Sequence, residues 1–191
     1  MAYSIEIQLH DNSPNLQIQF TFNNMKRIGL LSDTHGYFDQ NISEHFKQCD
    51  EIWHAGDLGD ISVVRSLAAL NGAVHRYVHG NIDGPEIRNV YPEQIVFTCE
   101  EIKILIRHIG GSPPGYNPAT KKELLIHQPQ LFITGHSHIL KIVFDDKINC
   151  LYMNPGAAGQ QGWHKIRTLL RFIIDGKNIR DCEVIELGKR G

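Results

Sequence analysis

The sequence has few cysteines, no long hydrophobic run and no excess of charge of either sign. The four cysteines stand far apart and form no Cys-x-x-Cys pair, which argues against a structural zinc protein. Lys and Arg number 19 against 21 Asp and Glu, so the basic footprint of a nucleic-acid-binding protein is missing. No apolar stretch approaches the ~18 residues that a bilayer crossing needs. What remains is an ordinary globular chain with 11 histidines, an unusually large number.

Residues 1–24 differ from the rest of the chain. Apolar and polar residues alternate there on both sides of the turn-like segment Asp11–Asn15, which predicts a β-hairpin. The segment has no basic region followed by an apolar core, so a standard secretory signal is not expected and a cytoplasmic location is. Met25 resembles a natural chain start. Residues 1–24 are therefore interpreted either as an accessory extension or as an upstream start assigned in error, and residues 25–191 as a single domain.

From Met25 onward, strand-like and helix-like segments alternate. Apolar runs of strand length lie at 28–31, 52–55, 73–79, 102–107 and 131–134. Helix-like stretches lie at 39–48, 61–71 and 119–127, and hairpins are predicted around residues 100–101, 145–147 and 176. The order βαβαβ followed by further strands predicts an α/β fold with a mixed sheet or two stacked sheets.

Polar side chains with metal-binding chemistry follow five of these apolar runs. The five groups are Asp33-Thr34-His35, Gly56-Asp57, His79-Gly80-Asn81-Ile82-Asp83, His108, and Gly135-His136-Ser137-His138. In α/β folds the carboxyl ends of strands are where ligands bind, so these side chains are expected to converge. The glycines at 56, 80 and 135 suit the tight turns needed there. By contrast, His54 and His79 are expected to be buried and hydrogen-bonded, and His164 to be ordinary.

The donor set consists of nitrogen and oxygen atoms without a thiolate. Such a set suits divalent Mn, Fe, Co, Ni or Zn, with Mn favoured here. Seven candidate ligands are too many for one tetrahedral ion and about right for two ions that share a carboxylate. Two such ions, ~3.5–4 Å apart, can hold both the attacking and the leaving oxygen in phosphoryl transfer. The sequence thus predicts two divalent metal ions and a small phosphate-ester substrate, and leaves the oligomeric state open.

The ordered motifs Asp-x-His, Gly-Asp, Gly-Asn-x-Asp, His and Gly-His-x-His resemble those of the calcineurin-like metallophosphoesterases, in particular the small YfcE-like branch. The resemblance implies a four-layer αββα sandwich of two mixed β-sheets flanked by helices, and hydrolysis by a metal-bridging hydroxide. It implies one ion held by Asp33, His35, Asp57 and His138, and a second held by Asp57, Asn81, His108 and His136. It also implies that Asn81 and His136 help to hold the phosphoryl group, so both are candidate catalytic residues.

Two positions depart from the pattern of the superfamily. Many members carry His after the Asn of Gly-Asn-x-Asp, where it is thought to protonate the leaving group, and here that position is Ile82. Esters with good leaving groups are therefore expected to be favoured. The usual His-Gly-His of the fourth motif reads His108-Ile109-Gly110. The loop Gly110–Gly115 is expected to shape the mouth of the pocket.

Phosphodiesterase activity is favoured over phosphomonoesterase activity, because one phosphodiester oxygen can bridge two ions. The alternative is a metal-binding protein-interaction scaffold of the same fold. The retromer complex contains a protein of this fold that acts mainly as a scaffold, and its resemblance extends to the Tyr91–Gln94 segment. That protein lacks the asparagine that Asn81 supplies here, which favours catalysis.

Overall fold

The structure is a computed structural model that describes residues 4–5, 20–21, 25–70 and 72–191. Two short strands near the N-terminus, β1 (Ser4–Ile5) and β2 (Phe20–Thr21), pair antiparallel. The rest of the hairpin predicted for residues 1–24 lies outside the described residues. Among the described residues, no helix combines the length and the apolar run that a membrane crossing requires.

The first large sheet carries the first three motifs. Three of its five strands are parallel: β3 (Lys26–Leu31), β4 (Glu51–His54) and β5 (Val74–Tyr77). The closing hairpin of β11 (Ile166–Asp175) and β12 (Asn178–Lys189) completes it, in the order β12-β11-β3-β4-β5. Helices α1 (Asn41–Phe46), α2 (Ile61–Ala68) and α3 (Pro85–Arg88) follow the three parallel strands.

The second large sheet carries the last two motifs. Its strands are β6 (Gln94–Cys99), β7 (Ile102–Arg107), β8 (Leu131–Ile133), β9 (Leu140–Asp145) and β10 (Cys150–Pro155). They lie in the order β6-β7-β8-β10-β9, with β7, β8 and β10 parallel. Helix α4 (Pro118–His127) begins with an Asn117 cap, whose side chain accepts a hydrogen bond from the Thr120 N–H at 2.8 Å.

Successive side chains of β3 point to opposite faces of the first sheet, and this alternation explains how the layers pack. Ile28 and Leu30 pack between the two sheets, together with residues of the second sheet such as Ile104 and Met153. Leu31 points the other way and packs with Phe46 of α1. On the far side of the second sheet a third cluster, including Leu105, Leu124 of α4 and Phe132, forms the outer layer. The expected four-layer αββα sandwich of two mixed sheets is therefore confirmed.

The predicted strands, the longer helices and the hairpins after residue 25 all occur within a few residues of their expected positions. Helix α3 was not predicted, because four residues are too short to show a helical period. The parallel strands of the first sheet end on one side, and the loops after β7 and β8 reach the same place. This convergence builds the site.

Candidate dinuclear metal centre

The structure brings six of the seven expected ligands into two groups of three. Potential ligand atoms of Asp33, His35 and His138 all lie within 4.8 Å of one another, and those of Asp57, His108 and His136 do likewise. Each group draws on both sheets, since its members follow strands of the first sheet and strands of the second. The sandwich must therefore be complete before either group exists.

The Asp57 carboxylate lies between the two groups. Its Oδ2 atom is 3.7 Å from the His35 Nε2 of one group, and its Oδ1 atom is 3.2 Å from the His108 Nε2 of the other. Asp57 is 2% exposed, so this carboxylate is almost removed from water. One oxygen facing each group is the geometry that a bridging carboxylate requires.

The surroundings of the His108 ring indicate whether a cation fits beside the Asp57 carboxylate. Its Nδ1 atom lies 2.7 Å from the Ala55 carbonyl oxygen, which can only accept, so Nδ1 carries the proton in the neutral ring. The lone pair of Nε2 then faces the Asp57 oxygen, and among the described residues Nε2 finds no hydrogen-bond partner. A buried lone pair opposite a carboxylate is repulsive unless a proton or a metal ion lies between them. The residues present therefore fit a divalent ion.

The pKa shifts of His108 and Asp57 also indicate that a cation fits between them. Burial lowers the pKa of His108, but the neighbouring carboxylates of Asp57 and Asp33 outweigh it, so the pKa is raised overall. Burial raises the pKa of Asp57, but His108, the Ile82 N–H and His35 outweigh it, so that pKa is lowered. Both shifts mean that positive charge is stabilised between these side chains.

His138 is oriented by a residue that the motifs do not mark. The His164 Nε2 atom lies 3.1 Å from the Gly159 carbonyl oxygen and must donate to it, so in the neutral ring the His164 Nδ1 is an acceptor. The His138 Nδ1 atom, 3.3 Å away, then donates, and the His138 Nε2 keeps its lone pair for the Asp33–His35 group. The expectation that His164 is an ordinary histidine is therefore wrong. The sequence gives no sign of this contact, because His164 lies 26 residues after His138.

Buried polar side chains hold the motif loops in place. His54 is fully buried and hydrogen-bonds to Thr34 through Nε2 at 3.0 Å and to the Gly56 N–H through Nδ1 at 3.1 Å. Burial lowers the pKa of His54 to about 4, so it stays neutral, in agreement with its expected structural role. Asp83 accepts hydrogen bonds from the Gly59 and Gly80 N–H groups, both at 2.7 Å, and so ties the second and third motif loops together.

Motif glycines leave room for candidate ligands from other motifs. A Cβ atom on Gly80 would overlap the Asp57 carboxylate, and a Cβ on Gly135 would overlap Ser32 and the Asp33 carboxylate. The close approach at Gly135 lets the His136 N–H donate to both Asp33 oxygens, at 3.0 and 3.2 Å. The tight turns expected from the sequence are thus only part of the reason for these glycines.

Backbone strain is concentrated at the site. Among the described residues other than glycine, nine have a positive φ, and five of these are candidate ligands: Asp33, His35, Asp57, His136 and His138. Each such residue costs on the order of 1–3 kcal/mol and persists only where the surroundings impose it. Strained residues of this kind cluster at active sites.

Two cavities flank the centre. One of about 310 Å³ is lined by Asn81 and His108, which places the seventh expected ligand beside the second group. The other, of about 280 Å³, is lined by His136 and by Gly110–Ser112, the start of the loop expected at the pocket mouth. Ile82 is 44% exposed, and its N–H donates to the Asp57 Oδ1 at 3.1 Å.

Two adjacent groups of Asp and His lie at the strand ends of an αββα sandwich, and this arrangement is typical of metallophosphoesterases. Residues 25–177 match the calcineurin-like phosphoesterase superfamily domain, and the chain belongs to that superfamily. No curated protein matches the chain.

Solved structures share the fold at low identity. An archaeal phosphodiesterase is 23% identical, with a TM-score of 0.66 over 84% of this chain and 99% of its own. A predicted phosphoesterase of Streptococcus pneumoniae is 21% identical, with a TM-score of 0.63 over 85% of this chain and 90% of its own. Vps29 of Entamoeba histolytica, solved with Zn²⁺, is 16% identical, with a TM-score of 0.65 over 84% of this chain and 98% of its own.

Proposed function

We propose that the protein is a dinuclear-metal-dependent phosphoesterase that acts on phosphodiesters. The observation that carries this proposal is the position of Asp57, with one carboxylate oxygen facing each group of potential ligands. In the proposed assignment Asp33, His35, Asp57 and His138 hold one ion. Asp57, Asn81, His108 and His136 hold the other.

Two bound divalent ions would supply the activated water and the positive charge that phosphoryl transfer needs. The chain holds the donors in place for them through the Ala55 carbonyl behind His108, His164 behind His138 and the His136 N–H on Asp33. His136 is exposed and Asn81 lines the adjoining cavity, so both are open to a bound phosphoryl group. These two are the proposed catalytic residues.

The preference for diesters rests on the two cavities. A phosphodiester carries two alcohol groups, and the cavities beside His108 and His136 provide space for one on each side of the centre. Ile82 cannot donate a proton from its side chain, so the leaving group takes its proton from water. Esters with good leaving groups are therefore the proposed substrates. We also assign the chain to the YfcE-like branch of the superfamily.

Manganese is the proposed metal, because imidazole together with carboxylate and amide oxygens, without thiolate, suits the harder divalent ions. Iron, zinc, nickel and cobalt suit the same donors. A cytoplasmic location is also proposed. All four cysteines, Cys49, Cys99, Cys150 and Cys182, lie among the described residues and form no disulfide, which agrees with a reducing compartment.

The test combines elemental analysis with hydrolysis of bis(p-nitrophenyl) phosphate in Mn²⁺, for the wild type, Asp57→Ala and the surface control Asp146→Ala. We expect a near-dinuclear metal content and turnover in the wild type and in Asp146→Ala, and loss of both in Asp57→Ala. Protein that takes up no metal, or equal turnover in Asp57→Ala, would contradict the proposal. A similar assay with p-nitrophenyl phosphate compares diester with monoester hydrolysis.

A second candidate function is a metal-binding scaffold for another protein. The observation in its favour is an apolar stripe on the edge strand β9, where Leu140, Ile142 and Phe144 share one face and are 37–50% exposed. The fold likeness to Vps29 agrees with it. Metal binding without hydrolysis of any activated ester, together with a stably bound partner that Phe144→Asp releases, would favour the scaffold over the enzyme.

A further inference from the structure

The cavity beside His136 has a chemistry that the metal centre does not require. It is about 280 Å³ in volume, and its lining includes the side chains of Ser112, Ser137 and Lys141. The described residues that line it include no Asp or Glu. We call this cavity the lysine pocket.

Lys141 is held at the wall of the pocket by the opposite loop. Its ammonium group donates to the Pro113 carbonyl oxygen at 3.0 Å and to the Ser112 Oγ at 3.3 Å. An ammonium has three N–H donors, so one remains for a ligand. Both partners are neutral, so neither cancels its positive charge. A cation anchored in this way has already lost much of the side-chain freedom that binding would otherwise cost.

The serine hydroxyls add further donors. Ser137 Oγ accepts hydrogen bonds from the Asn154 Nδ2 at 3.2 Å and from the Ile139 N–H at 3.3 Å, so its own O–H remains free to donate. Ser112 Oγ accepts from Lys141, and its O–H is likewise free. Tyr152 is committed to Thr134 at 2.6 Å and forms a wall. The pocket therefore offers one positive charge and hydroxyl donors, the chemistry that binds an anion.

We propose that the lysine pocket binds a second phosphoryl group of the substrate, next to the phosphoryl group that is hydrolysed. The inference rests on the proposed function, because His136 belongs both to the second group of ligands and to the lining of the pocket. It narrows the substrate class to phosphodiesters that carry a further phosphate on one of their alcohol groups. Lys141 is then a specificity-determining residue.

The competing interpretation is that Lys141 only straps the Ser112–Pro114 loop to β9. A strap would affect every ligand of the centre alike, whereas an anion subsite affects only ligands that carry the second phosphate. Calorimetry separates the two interpretations without relying on turnover. The probes are alkanediol bisphosphates of increasing chain length, each compared with the alkyl monophosphate of the same length, on Mn²⁺-loaded and on metal-free protein.

We expect Mn²⁺-loaded wild type to bind the best bisphosphate about 10- to 100-fold more tightly than its monophosphate, which is the usual effect of charge-assisted hydrogen bonds. In Lys141→Met this ratio should fall to about one, while Lys141→Arg should retain most of it. The control Lys147→Met removes an exposed lysine in the β9–β10 turn and should keep the wild-type ratio.

A wild-type ratio near one at every chain length would overturn the inference, and so would an unchanged ratio in Lys141→Met. An equal loss of affinity for both classes of probe in Lys141→Met would support the strap instead. Failure of the proposed function gives a different result, namely no Mn²⁺ uptake or no ester hydrolysis in the wild type. In that case the metal-free titrations still report whether Lys141 distinguishes bisphosphates from monophosphates.

Discussion

His164 and His138 face each other through their Nδ1 atoms at 3.3 Å, and the Gly159 carbonyl fixes which of the two donates. Removal of His164 should leave His138 free to change tautomer and to rotate. Such indirect partners of metal ligands typically contribute 10- to 100-fold to metal affinity. We expect His164→Ala to weaken binding of one Mn²⁺ by about that factor, measured by calorimetric titration.

The control for this prediction is His45→Ala, because His45 lies in α1 and its ring has no partner among the described residues. It should bind both ions as the wild type does. His164→Gln, which can still accept from His138, should recover part of the affinity. Unchanged Mn²⁺ binding in His164→Ala would mean that His138 needs no such support.

Gly80 gives a steric test of the proposed bridging role of the Asp57 carboxylate. A Cβ atom there would overlap both the Asp57 side chain and its backbone nitrogen, so Gly80→Ala must displace the carboxylate. We expect loss of at least one bound metal ion and of nearly all hydrolysis, measured by elemental analysis and with bis(p-nitrophenyl) phosphate.

Gly84→Ala is the matched control, since it lies four residues further along the same loop. A Cβ on Gly84 meets nothing within 4 Å among the described residues, and its φ of −78° suits alanine. Metal content and turnover should both stay at wild-type values. Equal behaviour of the two variants would show that Asp57 is not confined as the structure describes.

Ile82→His tests the missing general acid. The side chain of Ile82 is 44% exposed, so an imidazole is accommodated without burial of a charge. A proton donor near the leaving group accelerates such reactions by about 10²–10⁴-fold, and most for poor leaving groups. The two substrates are an alkyl phenyl phosphate diester, whose phenol is a poor leaving group, and bis(p-nitrophenyl) phosphate, whose leaving group is good. We expect Ile82→His to raise turnover of the first more than turnover of the second.

The comparison variant Ile82→Gln changes polarity without supplying an acid, and should leave the ratio of the two rates as in the wild type. The pH profile gives a second criterion, because an imidazole acid adds a descending limb near its own pKa. Equal effects of His and Gln on both substrates would assign protonation to water in either variant.

Asp39 and Arg167 form a buried ion pair, with Oδ2 and Nη1 2.6 Å apart and both residues less than 9% exposed. Burial raises the pKa of Asp39, but hydrogen bonds from Asn41 and Arg167 outweigh it, so the pKa is lowered in the folded protein. A lowered pKa stabilises the fold above the unfolded-state value, and the stabilisation is lost as the pH falls through the folded-state value.

Asp39→Asn should therefore lower the free energy of unfolding by about 3 kcal/mol at pH near 7, as expected when one partner of a buried pair is removed. The difference should shrink progressively below about pH 4. Urea denaturation at neutral and acidic pH measures both effects, with Asp146→Asn as the exposed control. A difference that stays constant into acid would contradict the ion pair.

The amino-acid sequence alone was sufficient to predict most of the strands. Apolar runs and hairpin signals located β3, β4, β7 and β8, because buried strands require apolar residues at a period that can be read directly. The polar motifs after those runs located the candidate ligands, because strand ends are where an α/β fold exposes them. The four-residue helix α3 escaped prediction, since it is too short to carry a period.

Contacts between distant segments depend on the tertiary structure. His164 supports His138 only because the loop before β11 returns to the end of β8. Gly80 is confined by Asp57, 23 residues earlier in the chain, and Lys141 meets Ser112 across the second sheet. Such pairings leave no local pattern, because they arise where the packing of two sheets brings loops together. The sequence thus determined which residues have the chemistry for the site, and the packing of the sandwich decided their partners, their tautomers and the shape of the pocket.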